Sequence, residues 1–167
     1  MNVWPKQDPI SMNAFYGDPD SQDDGLPDIT FESKYLTGIV PPYPMILAWN
    51  LKPVSMIKIH KKCAESLLVS LTQIGSDFTV AEREKYHLNR LGGGYNFRLM
   101  RGGAKLSIHS WGAAIDLAPE LNPMGAEYGS RPNMLPMKAV KAFESQGWVW
   151  GGLWRTADGM HFQAAKT

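Results

Sequence analysis

Cysteine is almost missing from this chain: Cys63 stands alone among 167 residues. One thiol cannot close an intramolecular disulfide, so the fold does not need an oxidising compartment, and a thiolate-rich zinc site is excluded. Net charge is nearly missing as well. Lys and Arg number 17 against 16 Asp and Glu, which leaves +1, and no block of like charge appears. A general nucleic-acid binder needs a basic surface to displace counterions, so no nucleic-acid partner is expected. No apolar run is long enough to span a bilayer, which argues against membrane insertion. The first residues, MNVWPKQDPISMNAFYGDPD, have no basic start, apolar stretch or small-residue cleavage site, and so do not read as a signal peptide. Synthesis in the cytoplasm is the expectation, and action outside the cell would need a separate route of release.

What is present suits one soluble domain. Apolar residues make up 44% and charged residues 20%, enough for a real core at this length. A monomer is expected. Residues 1–50 are rich in Pro, Gly, Asp and aromatics, with YGDPDSQDDGLPD read as loop and PPYP (41–44) as polyproline-like. Trp4, Phe15, Tyr16, Tyr35 and Trp49 are too many large rings for a floppy tail. Residues 1–50 are therefore read as an ordered arm packed on a domain of residues 51–167.

The clearest helix is SMIKIHKKCAESLLVSLTQIG. Ser55 can cap it, Ile59, Cys63, Leu67, Leu71 and Ile74 recur at helical spacing, and Gly75 can end it. A second helix is predicted over LPMKAVKAFESQG, with Pro136 in the first turn and Gly147 closing it. YNFRLM, KLSIH, AAIDLA, GWVWG and HFQAA are short strand candidates. Helices and strands do not alternate regularly, so the expected class is α+β, a small antiparallel sheet backed by helices.

Chemistry concentrates in two stretches, LSIHSWGAAIDLAPELNP (106–123) and DGMHFQ (158–163). A catalytic zinc wants three His or carboxylate ligands and one open position, with a general base nearby that takes no coordination place. His109 ends one strand candidate and Asp116 lies in the next. Seven residues of unbroken strand would put them on opposite faces, and Gly112 permits the bend that lets both meet one metal. His161 can supply the third ligand. Asp158, three residues earlier, suits a tight turn that holds a carboxylate beside the metal.

These residues resemble a known family. Ser107 to Asp116 matches the Ser-x-His-x-x-Gly-x-Ala-x-Asp signature of zinc peptidases of the D-Ala-D-Ala carboxypeptidase and L-Ala-D-Glu endopeptidase type, and GWVWGGLWRTADGMHFQ (147–163) looks like the second half of the same site. The resemblance implies a hedgehog/DD-peptidase-like fold and one Zn2+ per chain, held by His109, Asp116 and His161. It implies Asp158 as general base. It implies an arginine that polarises the scissile carbonyl, either Arg98 or Arg101 with Arg98 favoured, and a Ser107 that contacts substrate or the metal's surroundings. Trp150 and Trp154 are core and sheet residues first, and candidate walls of the substrate cleft. The implied substrate is the stem peptide of bacterial peptidoglycan, cut either as an endopeptidase or as a carboxypeptidase. A compact chain of this kind resembles phage lysins, which reach the cell wall through holin-type lysis or on a virion. The other reading is a non-catalytic wall-binding or virion-structural module that keeps the fold. His60 and His87, among charged residues, read as surface; Cys63 reads as inert packing; Gly92 to Gly94 read as a turn.

Overall fold

A computed structural model describes residues 2–167. The N-terminal segment carries two short helices, α1 (Pro9–Tyr16) and α2 (Ile29–Tyr35), followed by strand β1 (Leu36–Ile39). Asp8 caps α1 by accepting from the backbone of Ser11, and Pro9 opens its first turn. The sequence does not announce either helix. Each is too short to hold itself in water, and each forms because its few apolar residues, Met12 and Tyr16 in α1 and Phe31 in α2, are buried against the rest of the chain.

The stretch from Ser55 to Gly75 is not one helix. After β2 (Ile46–Leu47), residues Ile57–His60 form strand β3, and helix α3 runs over Lys61–Asp77, past Gly75. The alternating Ile-Lys-Ile fits period two as well as helical spacing, and pairing with β1 decides it. His60, expected at the surface, is 1% exposed. It is the N-cap of α3: its Nδ1 accepts from the backbone of Lys62, and its Nε2 meets the carbonyl of Tyr16 at 3.0 Å.

Helix α4 (Val80–Lys85) follows, closed by a reciprocal Thr79–Glu82 capping box. Then come β4 (Arg90–Gly93), β5 (Ala114–Leu117), α5 (Met137–Glu144), β6 (Val149–Trp150) and β7 (His161–Gln163). The last four match AAIDLA, the second predicted helix, GWVWG and HFQAA. YNFRLM and KLSIH are not strands. Residues 95–107 form a long loop with one isolated bridge, Leu99 to Leu106, and Ile108–Trp111 is a single 3-10 turn.

The main sheet has the order β2-β4-β5-β7-β6, and β1 pairs with β3 separately. All contacts in the main sheet are antiparallel except β2 with β4, so the small sheet is mixed. The class is α+β with helices backing the sheet. Cys63, Leu67, Leu71 and Ile74 of α3 are fully buried, as are Val140 and Phe143 of α5. Phe143 stacks on Phe162 of β7 at 4.1 Å between ring centres. Each such side chain contributes roughly 1.5–3 kcal/mol through burial. The same core includes Trp4, Met12 and Tyr16, and the hydroxyl of Tyr16 donates to the carbonyl of Ala164. The N-terminal strand of chain lies along the C-terminal one, with Gln7 N donating to Lys166 O and Lys166 N to Pro5 O.

Candidate metal centre and its cleft

Asp116 and His161 are direct partners across the antiparallel β5–β7 pair. Opposed residues in such a pair project from the same face, so the sheet itself brings the carboxylate to the imidazole. Asp116 Oδ1 lies 3.0 Å from His161 Nδ1. His109 comes from the 3-10 turn before β5, whose N-cap is Ser107. Gly112 ends that turn with φ 65°, and a Cβ there would lie 2.8 Å from the backbone nitrogen of His60. The left-handed conformation and the close approach both demand glycine. The chain bend expected at Gly112 is therefore present, but it follows a helical turn and not a strand.

The protons on His109 can be assigned. Its Nδ1 is 2.7 Å from the carbonyl of Gly94. A carbonyl only accepts, so Nδ1 carries the hydrogen and Nε2 keeps a lone pair. That lone pair points at Asp116 Oδ1, 3.2 Å away, and at His161 Nδ1, 3.3 Å away. Acceptors this close repel one another unless positive charge lies among them. One ligand atom from each of His109, Asp116 and His161 falls within 4.8 Å of the others. Two nitrogens and one oxygen are a donor set that zinc takes. The cluster is consistent with a single Zn2+ site per chain.

The titratable groups of the cluster bear strongly on one another. In the metal-free protein burial opposes ionisation of Asp116, but the two imidazoles, in the protonated forms that donate to it, outweigh burial and hold the carboxyl well below the usual range. Burial also opposes charge on His161; Asp116 and then Asp158 outweigh it, so the ring is pushed up. Asp158 behaves in the opposite way. Burial raises its pKa, Asp116 adds to the rise, and His161, His109 and Arg101 only partly offset it. Among the described residues its buried Oδ1 has no hydrogen-bond partner. The backbone of Asp158 begins a tight turn, its carbonyl accepting from His161 N at 3.1 Å. This is the turn expected from the three-residue offset. Asp158 N is held by the carbonyl of Gly151, in the 3-10 turn Gly151–Leu153, and a Cβ on Gly151 would press within 2.7 Å of the Asp158 carbonyl.

Asp116, His161 and Asp158 open onto a cleft of about 520 Å³. Trp154 lines it, with its ring 5.7 Å from that of His161. Ser107 lines it too, and its Oγ accepts from His109 N at 3.4 Å, so this hydroxyl also holds the turn in shape. Arg98 and Arg101 both reach the cleft wall. Arg101 is exposed and its charge is felt at Asp158, whereas Arg98 donates to the carbonyl of Leu99 at 3.2 Å. Trp150 is not among the lining residues. It is buried, stacks near Phe162, and donates from Nε1 to the carbonyl of Gly159 at 2.8 Å. It braces the Asp158–His161 turn from behind.

Three contributors escape the sequence. The Gly94 carbonyl is main chain and leaves no signature. Ser110 Oγ pins the loop by bonding both N and O of Arg98. Gln163 Oε1 lies 3.2 Å from His161 Nε2; its position two residues along the same strand face was the available signal.

A buried acceptor cluster on the floor of a cleft, with an unpaired carboxylate beside it, is the arrangement of a metal-dependent hydrolase. Residues 101–164 match the protein family described as D-alanyl-D-alanine carboxypeptidase. The matched segment holds His109, Asp116, Asp158 and His161, together with Arg101 and Ser107, while Arg98 lies outside it. A cluster able to hold zinc, inside the segment that this family's model matches, supports zinc-dependent peptidase activity. No curated protein and no solved structure matches the chain. Among the described residues, no helix is long and apolar enough to cross a membrane.

Proposed function

We propose that this protein is a zinc peptidase that hydrolyses peptide bonds in the stem peptides of bacterial peptidoglycan. The observation that carries the reading is the pairing of the His109–Asp116–His161 cluster with the unpaired carboxylate of Asp158 in one cleft. Zinc, when bound there, would supply an acidified water and a Lewis acid for the scissile carbonyl. Asp158 is the general base: it accepts the proton from the attacking water and returns it to the leaving amine. Arg101, whose charge reaches Asp158, is the better-placed partner for the carbonyl oxygen as negative charge develops. Arg98 and Lys105 extend the cationic wall of the cleft, which suits the free carboxylates of a stem peptide. Ser107 and Trp154 flank the substrate.

We favour the endopeptidase form. A carboxypeptidase needs a closed end for the terminal carboxylate, and an endopeptidase needs a groove that runs on. Here a second cleft of about 560 Å³ adjoins the first and shares Pro9, Arg98, Lys105, Leu106 and Trp111 with it. Digestion of purified muropeptides, with products weighed by mass spectrometry, tests this. Separation of L-Ala from the rest of the stem supports it, loss of one terminal alanine assigns the carboxypeptidase reaction, and no cleavage by zinc-loaded protein leaves the binding-module reading. Metal analysis is the companion measurement. About one zinc per chain is expected in the unmodified protein, and His161→Ala should lose most of it.

A further inference from the structure

We infer that Gln163 and Gln7 form a positioning relay that aims the ring of His161, which makes the N-terminal segment a working part of the metal centre. The inference rests on His161 being a metal ligand. It starts from Ala165. The carbonyl of Ala165 accepts from Gln163 at 3.1 Å, and a carbonyl cannot donate, so the atom facing it is the amide nitrogen of Gln163. The other end of that amide, Oε1, must then face His161 Nε2 at 3.2 Å. Oxygen accepts there, so Nε2 carries the hydrogen, and Nδ1 presents its lone pair to Asp116 and His109. One backbone carbonyl thereby fixes the orientation of Gln163, and Gln163 fixes the tautomer of His161.

The second hydrogen of the Gln163 amide goes to Gln7 Oε1, at 2.8 Å. Gln163 is 1% exposed, so each of its polar atoms needs a partner. Gln7 supplies the last of them from outside the sheet. Its own backbone is tied down by the bond from Gln7 N to Lys166 O, and it lines the cleft beside Asp8 and Pro9. Partners behind a metal-bound imidazole hold its angle and strengthen it as a donor; losing one typically costs ~10–100-fold in metal affinity.

The test is zinc affinity, measured by chelator competition, with the visible spectrum of the Co2+-loaded protein as a second readout. Gln163→Met keeps the length and apolar bulk but removes the acceptor. It should weaken zinc by ~10–100-fold and alter the Co2+ bands. Gln163→Glu keeps an oxygen for His161 Nε2, so it should hold zinc far better than Gln163→Met, at a cost in thermal stability because a carboxylate then faces the Ala165 carbonyl. A packing role predicts the reverse order. Gln7 is exposed, so its variants should fold regardless. Gln7→Met should weaken zinc about threefold to tenfold, the worth of one hydrogen bond, and Gln7→Glu should restore it. Equal zinc affinity and identical Co2+ bands across these variants would overturn the relay while leaving the peptidase reading intact. Absence of zinc binding by the unmodified protein would overturn both.

Discussion

Asp158 holds a carboxylate in a cleft where its Oδ1 has no partner and its pKa is raised above the ordinary aspartate range. Its native state therefore binds a proton more tightly than the unfolded chain does. Stability falls as pH rises from the ordinary aspartate value through the raised one, and the penalty is complete above it. Asp158→Asn should raise the melting temperature of the metal-free protein at neutral pH, with the gain vanishing in acid. Asp158→Ala should retain zinc and lose ~100- to 10,000-fold in peptide hydrolysis, the usual worth of a general base. Retained zinc alongside undiminished turnover would remove Asp158 from that role. His60 gives the opposite pH signature. Burial, its largest influence, brings it down from 6.5 to about 4. Its contribution is present above the unfolded value and is lost as pH falls from about 6.5 to about 4, by on the order of 3 kcal/mol. Melting curves across that window should show the loss, and His60→Asn should flatten it. The members of the His109–Asp116–His161 cluster are legible in the sequence because their chemistry and spacing are unusual. His60 is not, because its partner, the Tyr16 carbonyl, lies 44 residues away.

Among the elements, the turn at Gly112 is the joint on which His109 depends. A Cβ there would collide with the start of α3, and the φ of 65° is poor for any side chain. Gly112→Ala should cost about 1–3 kcal/mol in unfolding free energy from backbone strain. It should also weaken zinc, because His109 is three residues away on the same turn. Calorimetry and metal titration of one sample would show whether the two losses come together. The bend lies at Gly112 as its glycine implies, but the element before it is a helical turn and not a strand. KLSIH has the alternation of a strand, but across this loop it makes one bridge, Leu99 to Leu106, flanked by the backbone bonds Ser107 N to Arg98 O and Met100 N to Lys105 O, too short a pairing for a ladder. Ser107 capping and the Ser110 bonds to Arg98 settle the matter in favour of a 3-10 turn. The same competition moved Ile57–His60 out of the predicted helix: β1 was there to receive it.

For the molecule as a whole, residues 1–50 and 51–167 share one core. Among the described residues β1 is the only strand paired with β3, and β2 borders β4. Tyr16, Met12 and Trp4 pack with residues of the sheet. A fragment of residues 51–167 should lack cooperative unfolding and bind zinc poorly, by circular dichroism and chelator competition. A cooperatively folding fragment would show the N-terminal segment to be dispensable. The aromatic content of this segment marks it as ordered, yet Trp49, one of those rings, is 64% exposed. Composition reports that rings are numerous; only the fold decides which of them are covered.

The cross-strand pairing of Asp116 with His161 divides labour between two kinds of scaffolding. Those two donors ride on hydrogen-bonded ribbon, which tolerates little displacement, whereas the flanks that would greet a substrate belong to the 95–107 loop and the Gln7–Pro9 stretch. Sequence drift in the flanks can then retune which peptide is admitted while the ion's seat stays as it is.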